Sequence, residues 1–261
     1  MLKFSACIDM MFPHLAFYDR FAAVKSCGID TVEFWKWSNK DPERVEEELA
    51  KIGLSLSVFN LDAKDECLSC DLSRGILNSG RKDELISAFY ESLPYYRRWG
   101  AHGMIVLIGE TRDDLDDDTQ KQNILDCLLA VKPHAERENV DLFVEPLNAS
   151  DRKNYYMPYS APLFDILDAV DSPRIRMLFD IYHQQMTEGH LTSSIREHIG
   201  RIGHFHVADV PGRHEPGTGE INYPNLFRGI ASLPYDGYVG LEYRATKHDE
   251  ETLGFVREWR A

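Results

Sequence analysis

Eight short runs of apolar, β-branched and aromatic residues recur along this chain, separated by longer amphipathic stretches. They cover residues 3–8, 31–35, 54–61, 103–108, 140–147, 175–181, 202–208 and 238–243. Strands alternating with helices in this way predict repeated βα units and a parallel sheet. Helices are expected over 17–26, 41–49, 83–99, 118–138, 161–169, 193–199, 225–231 and 250–259. The clearest opens with Asp41-Pro42-Glu43, where an Asp can cap, Pro fits the first helical position and acidic residues meet the positive helix end.

Eight parallel strands either lie in an open, doubly wound sheet or close on themselves. The open sheet usually carries a glycine-rich phosphate turn after its first strand, but here the first run leads into Asp9-Met10-Met11-Phe12-Pro13-His14. Closure also removes exposed edges. The expectation is an α/β fold of the (β/α)8 TIM barrel kind. At 261 residues and 43 % hydrophobic content, one such domain accounts for residues 1–261.

Composition excludes some partners. Against 43 Asp and Glu stand 29 Lys and Arg, a formal charge of −14, which argues against a nucleic-acid backbone as ligand. No run approaches the roughly 20 apolar residues of a membrane helix, and the start meets a charge before any sustained apolar region, so a cytoplasmic protein is expected. Five cysteines, an odd number in a chain of this size, fit a reducing compartment. Cys67-Leu68-Ser69-Cys70 lacks a second ligand pair nearby and reads as ordinary loop thiols rather than a zinc or redox site. Residues 112–118 lack the central Gly and final Glu of a calcium loop and read as a solvated acidic lead into a helix.

Four metal-competent side chains sit at the tails of consecutive runs: Glu145, Asp180, His206 and Glu242. A single carboxylate there is most often a cap or a surface ion pair, and a single His a satisfied core residue. Four in the same position of four successive units point to one site, because barrel strands deliver their C-terminal ends to a common mouth. Three carboxylates and one imidazole suit a divalent cation of the Mg, Mn or Co kind, with Zn second. His183 lies just past a strand end, where it can exchange a proton or bind a hydroxyl, or simply sit at the rim. Arg213, in a Gly- and Pro-rich loop, can clamp a substrate carboxylate or pair with Glu215 or Glu220. Phe12, Trp35, Trp37 and Phe59 either wall the pocket or pack in the core. A cation chelated by a carbonyl and its neighbouring hydroxyl acidifies the C–H between them, and Glu145 and Glu242 fit the removal and return of that proton.

The segments Val144-Glu145-Pro146-Leu147-Asn148, Phe179-Asp180-Ile181-Tyr182-His183 and the loop from Ala208-Asp209-Val210-Pro211-Gly212-Arg213-His214-Glu215-Pro216 to Tyr223-Pro224 closely resemble the hydroxypyruvate isomerase family. That family belongs to the xylose-isomerase-like barrels, and the likeness extends to Val32-Glu33-Phe34-Trp35 and Tyr238-Val239-Gly240-Leu241-Glu242-Tyr243-Arg244. The resemblance implies interconversion of hydroxypyruvate and tartronate semialdehyde, with Glu145 and Glu242 as acid/base residues. Likeness to the related ketose 3-epimerases implies Glu145, Asp180, His206 and Glu242 as metal ligands and His183 and Arg213 as substrate-binding residues. It further implies a small-molecule substrate and barrels that pair as homo-oligomers. The stretch Ala149-Ser150-Asp151-Arg152-Lys153-Asn154-Tyr155-Tyr156 departs from the family's pattern, in a loop expected to meet substrate. The competing readings are a ketose 3-epimerase, an abasic-site endonuclease, which the net charge disfavours, and a metal-binding subunit without catalysis.

Overall fold

A computed structural model describes residues 1–259, and its strands form a parallel barrel. The strands are β1 (Lys3–Cys7), β2 (Thr31–Glu33), β3 (Ser55–Leu56), β4 (Val58–Asn60), β5 (Gly103–Leu107), β6 (Leu142–Glu145), β7 (Ile175–Asp180), β8 (Ile202–Val207) and β9 (Tyr238–Leu241). Their order is β3-β2-β1-β9-β8-β7-β6-β5-β4, and every named pairing is parallel.

The expected strand over 54–61 is split at Ser57 into β3 and β4. The cause is a change of partner. Ser57 donates its amide to Val32 O on one side, at 2.9 Å, and accepts from His102 N and Gly103 N on the other, at 2.8 and 3.1 Å. The two ends of the sheet order are therefore halves of one run, and bonds from Phe34 N to Val58 O and from Asn60 N to Trp35 O carry the ring across the break.

The helices are α1 (Asp19–Ser26), α2 (Pro42–Ile52), α3 (Glu66–Arg74), α4 (Lys82–Trp99), α5 (Asp117–Glu138), α6 (Ser160–Val170), α7 (Ile181–Thr187), α8 (Leu191–His198), α9 (Tyr223–Ala231), α10 (Asp249–Thr252) and α11 (Val256–Trp259). Asp41 caps α2 as expected, accepting from Glu43 N and Arg44 N at 3.0 and 3.2 Å. The acidic segment leads into α5, whose cap is Asp116 accepting from Thr119 N at 2.7 Å. Two helices escape the sequence pattern. Cys67 and Cys70 lie exposed on α3 rather than in a loop, because Asp65 caps that helix through Leu68 N at 2.8 Å. α7 follows β7 with no loop, since Asp180 ends the strand and caps the helix at once. The helix expected over 250–259 breaks into α10, a tight turn over Leu253–Phe255 and α11, with Gly254 at the break.

Phe143 of β6 fills the barrel floor. A Cβ on Gly103 or Gly203 would come within 2.2 or 2.1 Å of its ring, so both strands must be bare there. His204 stacks on the same ring at 6.0 Å between centroids. Among the described residues, no helix is long and apolar enough to cross a membrane.

Candidate metal centre and active site

Glu145 closes β6, Asp180 closes β7, His206 is the last but one residue of β8, and Glu242 follows β9 directly. Parallel strands carry these ends to one mouth. One donor atom from each lies within 4.8 Å of the others, and all four residues are buried. His206 Nδ1 stands 3.6 Å from Glu145 Oε1 and 3.4 Å from Glu242 Oε2, with no hydrogen-bond partner among the described residues. An unpartnered buried nitrogen facing carboxylate oxygens is what a cation site of mixed O and N donors requires, so the residues present fit a divalent ion.

Carboxylates gathered out of water need positive charge beside them. Two side chains supply it. Arg213 Nη2 bonds Glu242 Oε2 and lies 3.5 Å from Asp180 Oδ2. His206 provides the second. Burial drives the Glu145 carboxyl up to about 7 despite the nearby His206. Burial likewise raises Asp180. Glu242 behaves oppositely, because Arg213 and then His206 outweigh its burial and hold it below the ordinary range. His206 is buried too, yet Glu242 and Glu33 raise it well above an ordinary imidazole.

Arg213 does not pair with either acidic neighbour in its own loop. Glu215 binds Thr246 through that residue's amide and hydroxyl, and Glu220 accepts from Gln185 Nε2 at 3.0 Å. The loop is pinned instead by the buried carboxylate of Asp209, which accepts from the amides of Val210, Gly217 and Ile221 at 2.9, 2.8 and 3.0 Å. A Cβ at Gly219 would lie 2.0 Å from Val210 O, so the close return of the loop requires glycine. Arg213 itself holds φ 58°, a left-handed conformation uncommon for a side chain of its size. Bonds from Arg213 N to Asp209 O and from Arg244 N to Arg213 O keep it there and aim the guanidinium at the cluster.

His183 is buried inside α7, not placed at a rim. Its Nδ1 accepts from the amide and side-chain NH2 of Asn148, at 3.2 and 2.6 Å. The orientation of that amide follows from its oxygen, which accepts from Asp151 N at 2.8 Å. A ring whose Nδ1 accepts carries its proton on Nε2. That Nε2 lacks a hydrogen-bond partner among the described residues and lies 3.4 Å from Asp180 Oδ2. Burial, then the charge of Arg213, lowers the ring to about 3, so it is a neutral donor.

These groups open onto a cavity of about 790 Å³. Trp35, 40 % exposed, walls it and donates Nε1 to Glu242 Oε1 at 2.7 Å. Of the two places open to the other three aromatics, pocket wall or core, Phe12, Trp37 and Phe59 take the core. Lys36, Asn60 and Arg152 also line the cavity. Arg152, in the divergent loop after β6, reaches across to bond Ser73 O at the end of α3 at 3.2 Å.

Sequence reasoning passed over Glu33 and His204, which form a second buried group with His206 directly beneath the first. The signal was present for Glu33, the last residue of β2, which ends an apolar run just as the four donors do.

A family model for the xylose isomerase-like TIM barrel matches residues 21–259. The chain belongs to this family. Over 261 residues it is 31 % identical to the hydroxypyruvate isomerase of Escherichia coli (strain K12), each covered in full. It is 29 % identical to the 2-oxo-tetronate isomerase of Pectobacterium atrosepticum, across 99 % of this chain and 98 % of that one. Both relatives are isomerases. The crystal structure of an AP endonuclease, family 2, from Brucella melitensis superimposes with a TM-score of 0.90 at 27 % identity, each chain covered in full.

Proposed function

We propose that this xylose isomerase-like barrel is a sugar-acid isomerase, most simply interconverting hydroxypyruvate and tartronate semialdehyde, assisted by a divalent ion held by Glu145, Asp180, His206 and Glu242. The observation that carries this reading is the convergence of four donor atoms within 4.8 Å, two of them from glutamates, in a family member whose full-length relatives are isomerases. Hard oxygen donors favour Mg, Mn or Co over Zn.

The reaction moves a carbonyl by one carbon without net oxidation. One C–H proton leaves the hydroxyl-bearing carbon and one is delivered to the former carbonyl carbon, while the hydroxyl proton passes between the two oxygens. Glu145 and Glu242 take the two carbon-proton roles, standing on β6 and β9 with two ligand-bearing strands between them. When bound, the ion stabilises negative charge developing on the substrate oxygens. His183 offers its neutral Nε2–H to a substrate oxygen. Arg213 holds Glu242 ionised and ready to accept a proton. Trp35 orients the same carboxylate. Lys36 and Arg152, which line the cavity, supply cations for the acid group.

A ketose 3-epimerase is the second reading, because the same two glutamates could remove and return a proton at one carbon from opposite faces. Substrate placement at Lys36 and Arg152 favours an acid over a neutral ketose. The chain is further proposed to act in the reducing cytoplasm as a homo-oligomer, consistent with five unpaired cysteines.

The test is incubation of Mn2+-loaded protein with hydroxypyruvate and with 2-oxo-tetronate in deuterated water, followed by NMR. Isomerisation moves the carbonyl and incorporates deuterium, whereas epimerisation keeps the ketose. Glu145→Gln should lower turnover by about 10²–10⁴. Full activity in that variant, or no conversion of any sugar acid by the unsubstituted protein, defeats the proposal.

A further inference from the structure

Glu33, the last residue of β2, is a buried carboxylate that belongs to no ligand set proposed above. It is 2 % exposed. Its Oε2 accepts from Ser5 Oγ at 2.6 Å and Ser57 Oγ at 3.0 Å, and lies 3.2 Å from His204 Nε2. Its Oε1 has no hydrogen-bond partner among the described residues, but lies 2.9 Å from His206 Nε2, which has none either. Two buried atoms without a hydrogen-bond partner among the described residues therefore lie within bonding distance of each other. The neighbouring strand leaves room for them, since a Cβ on Gly240 would lie 2.5 Å from Glu33 Oε1 and 2.6 Å from His206 Cδ2. Gly240 is in register with Ser5 on β1 and with His206 on β8, so serine, glycine and histidine occupy one layer around the carboxylate.

The chemistry of an imidazole gives this arrangement a purpose. To bind a metal ion the ring must give up one proton and keep the other, because a neutral imidazole has one N–H and one lone pair and only the lone pair can ligate. His206 Nδ1 faces carboxylate oxygens of Glu145 and Glu242, which on their own would draw the proton to Nδ1 and block it. A carboxylate on the opposite nitrogen competes for that proton. We infer that Glu33 is a positioning residue: by taking the Nε2–H of His206, it keeps Nδ1 free to ligate the divalent ion, with Ser5, Ser57 and Gly240 holding it in place.

Partners of this kind on the far nitrogen of a metal-binding histidine typically change metal affinity by about 10–100-fold when removed. This inference rests on the metal reading above, though not on any choice of substrate. It is tested by titrating ion-free Glu33→Gln and Gly240→Ala with Mn2+ alone, followed by calorimetry and electron paramagnetic resonance, together with the melting temperature in chelator. Gly240→Ala keeps every side chain of both groups but crowds Glu33 and the His206 ring alike, so it is a second test of their contact if the Gln variant folds poorly. The expected result is a loss of about 10–100-fold in Mn2+ affinity exceeding any loss of ion-free stability. In the unsubstituted protein loaded with Zn2+, ¹⁵N NMR of the His206 ring should show the proton on Nε2.

Unchanged affinity in the variants overturns the inference, as does a loss of stability without a loss of affinity, which would mark Glu33 as a strand-to-strand tie. A proton on Nδ1 in the loaded protein also overturns it. If the unsubstituted protein binds no Mn2+, the metal reading and this inference fall together. Tight Mn2+ binding with no turnover of sugar acids defeats only the substrate assignment.

Discussion

Replacing Arg213 by Met keeps the apolar stem and removes the guanidinium, and so asks what charge the carboxylate cluster requires. Arg213 touches Glu242 and lies 3.5 Å from Asp180, and its side chain is 20 % exposed. Removing one member of a buried ion pair leaves the other uncompensated and costs about 3–5 kcal/mol. In a chain of this size that corresponds to a fall in melting temperature of roughly 5–9 °C. The loss should be largest in chelator, where the variant has only His206 to face Glu145, Asp180 and Glu242. A divalent ion among the same carboxylates supplies the missing charge, and the variant, lacking a competing cation, should bind it at least as tightly as the parent. At 100 times the dissociation constant an ion adds about 2.7 kcal/mol, and the variant gains more than the parent at equal concentration because its constant is smaller. Calorimetry of both proteins, with chelator and with saturating Mn2+, therefore shows a wide gap that narrows on loading. A gap of equal width in both conditions would refute the reasoning, since it would make Arg213 an ordinary structural ion pair. No gap in chelator would mean that the carboxylates do not depend on it.

The anchor of the Arg213 loop is tested by Asp209→Ala, which strands the amides of Val210, Gly217 and Ile221 and should cost about 3–5 kcal/mol by urea titration, with turnover falling further than stability. Lys36→Met combined with Arg152→Met should raise KM for a hydroxy-oxo acid about tenfold or more and leave a neutral ketose of equal length unaffected; equal loss for both would assign the two residues to capping α3, whose carbonyls at Ser69 and Ser73 they bind. His102 is lowered to about 4 by burial and by the nearby His204, so the unfolded chain takes up a proton first as acid is added. Its contribution is intact above the ordinary imidazole pKa of about 6.5 and is lost as pH falls towards 4, at most about 3 kcal/mol, and His102→Gln should flatten that part of a stability–pH curve.

The sequence disclosed the barrel through periodicity and the four donors through a shared position at strand ends. That rule works because a parallel barrel converts position along a strand into depth in the mouth. It failed at Glu33 for want of a companion signal: its partners Ser5, Ser57, His204 and Gly240 lie on four different strands or joints, and only closure of the ring brings them together. The split at Ser57 was equally hidden, because an apolar run of eight residues does not reveal that its halves bond to different neighbours. Arg213 illustrates a different limit. Its loop read correctly as irregular, yet local sequence offered Glu215 and Glu220 as partners, and what decides between those and Glu242 is the backbone turn imposed by Asp209.

The placement of charges divides the barrel into two arcs with separate tasks. The four candidate donors come from the ends of consecutive strands β6 to β9, so the register of three strand pairings sets their spacing, and a substitution in that arc alters the geometry of the cluster directly. Support comes from β1, β2 and the joint at Ser57, on the opposite arc, which send Ser5, Glu33 and Ser57 inward to meet His206 from below. The rim of that second arc carries Trp35, Lys36 and Asn60 towards the cavity. On the function proposed above, the donors belong to the first arc, while recognition is shared between the rim of the second, at Lys36 and Asn60, and the Arg152 loop that follows β6, so substrate preference can change at these positions without replacing a donor. Gly240 marks the seam, being paired with both arcs at once, through Ser5 on β1 and His206 on β8. A side chain at that seam should impair ion binding while sparing the recognition of acids, whereas changes at Lys36 and Arg152 should do the reverse.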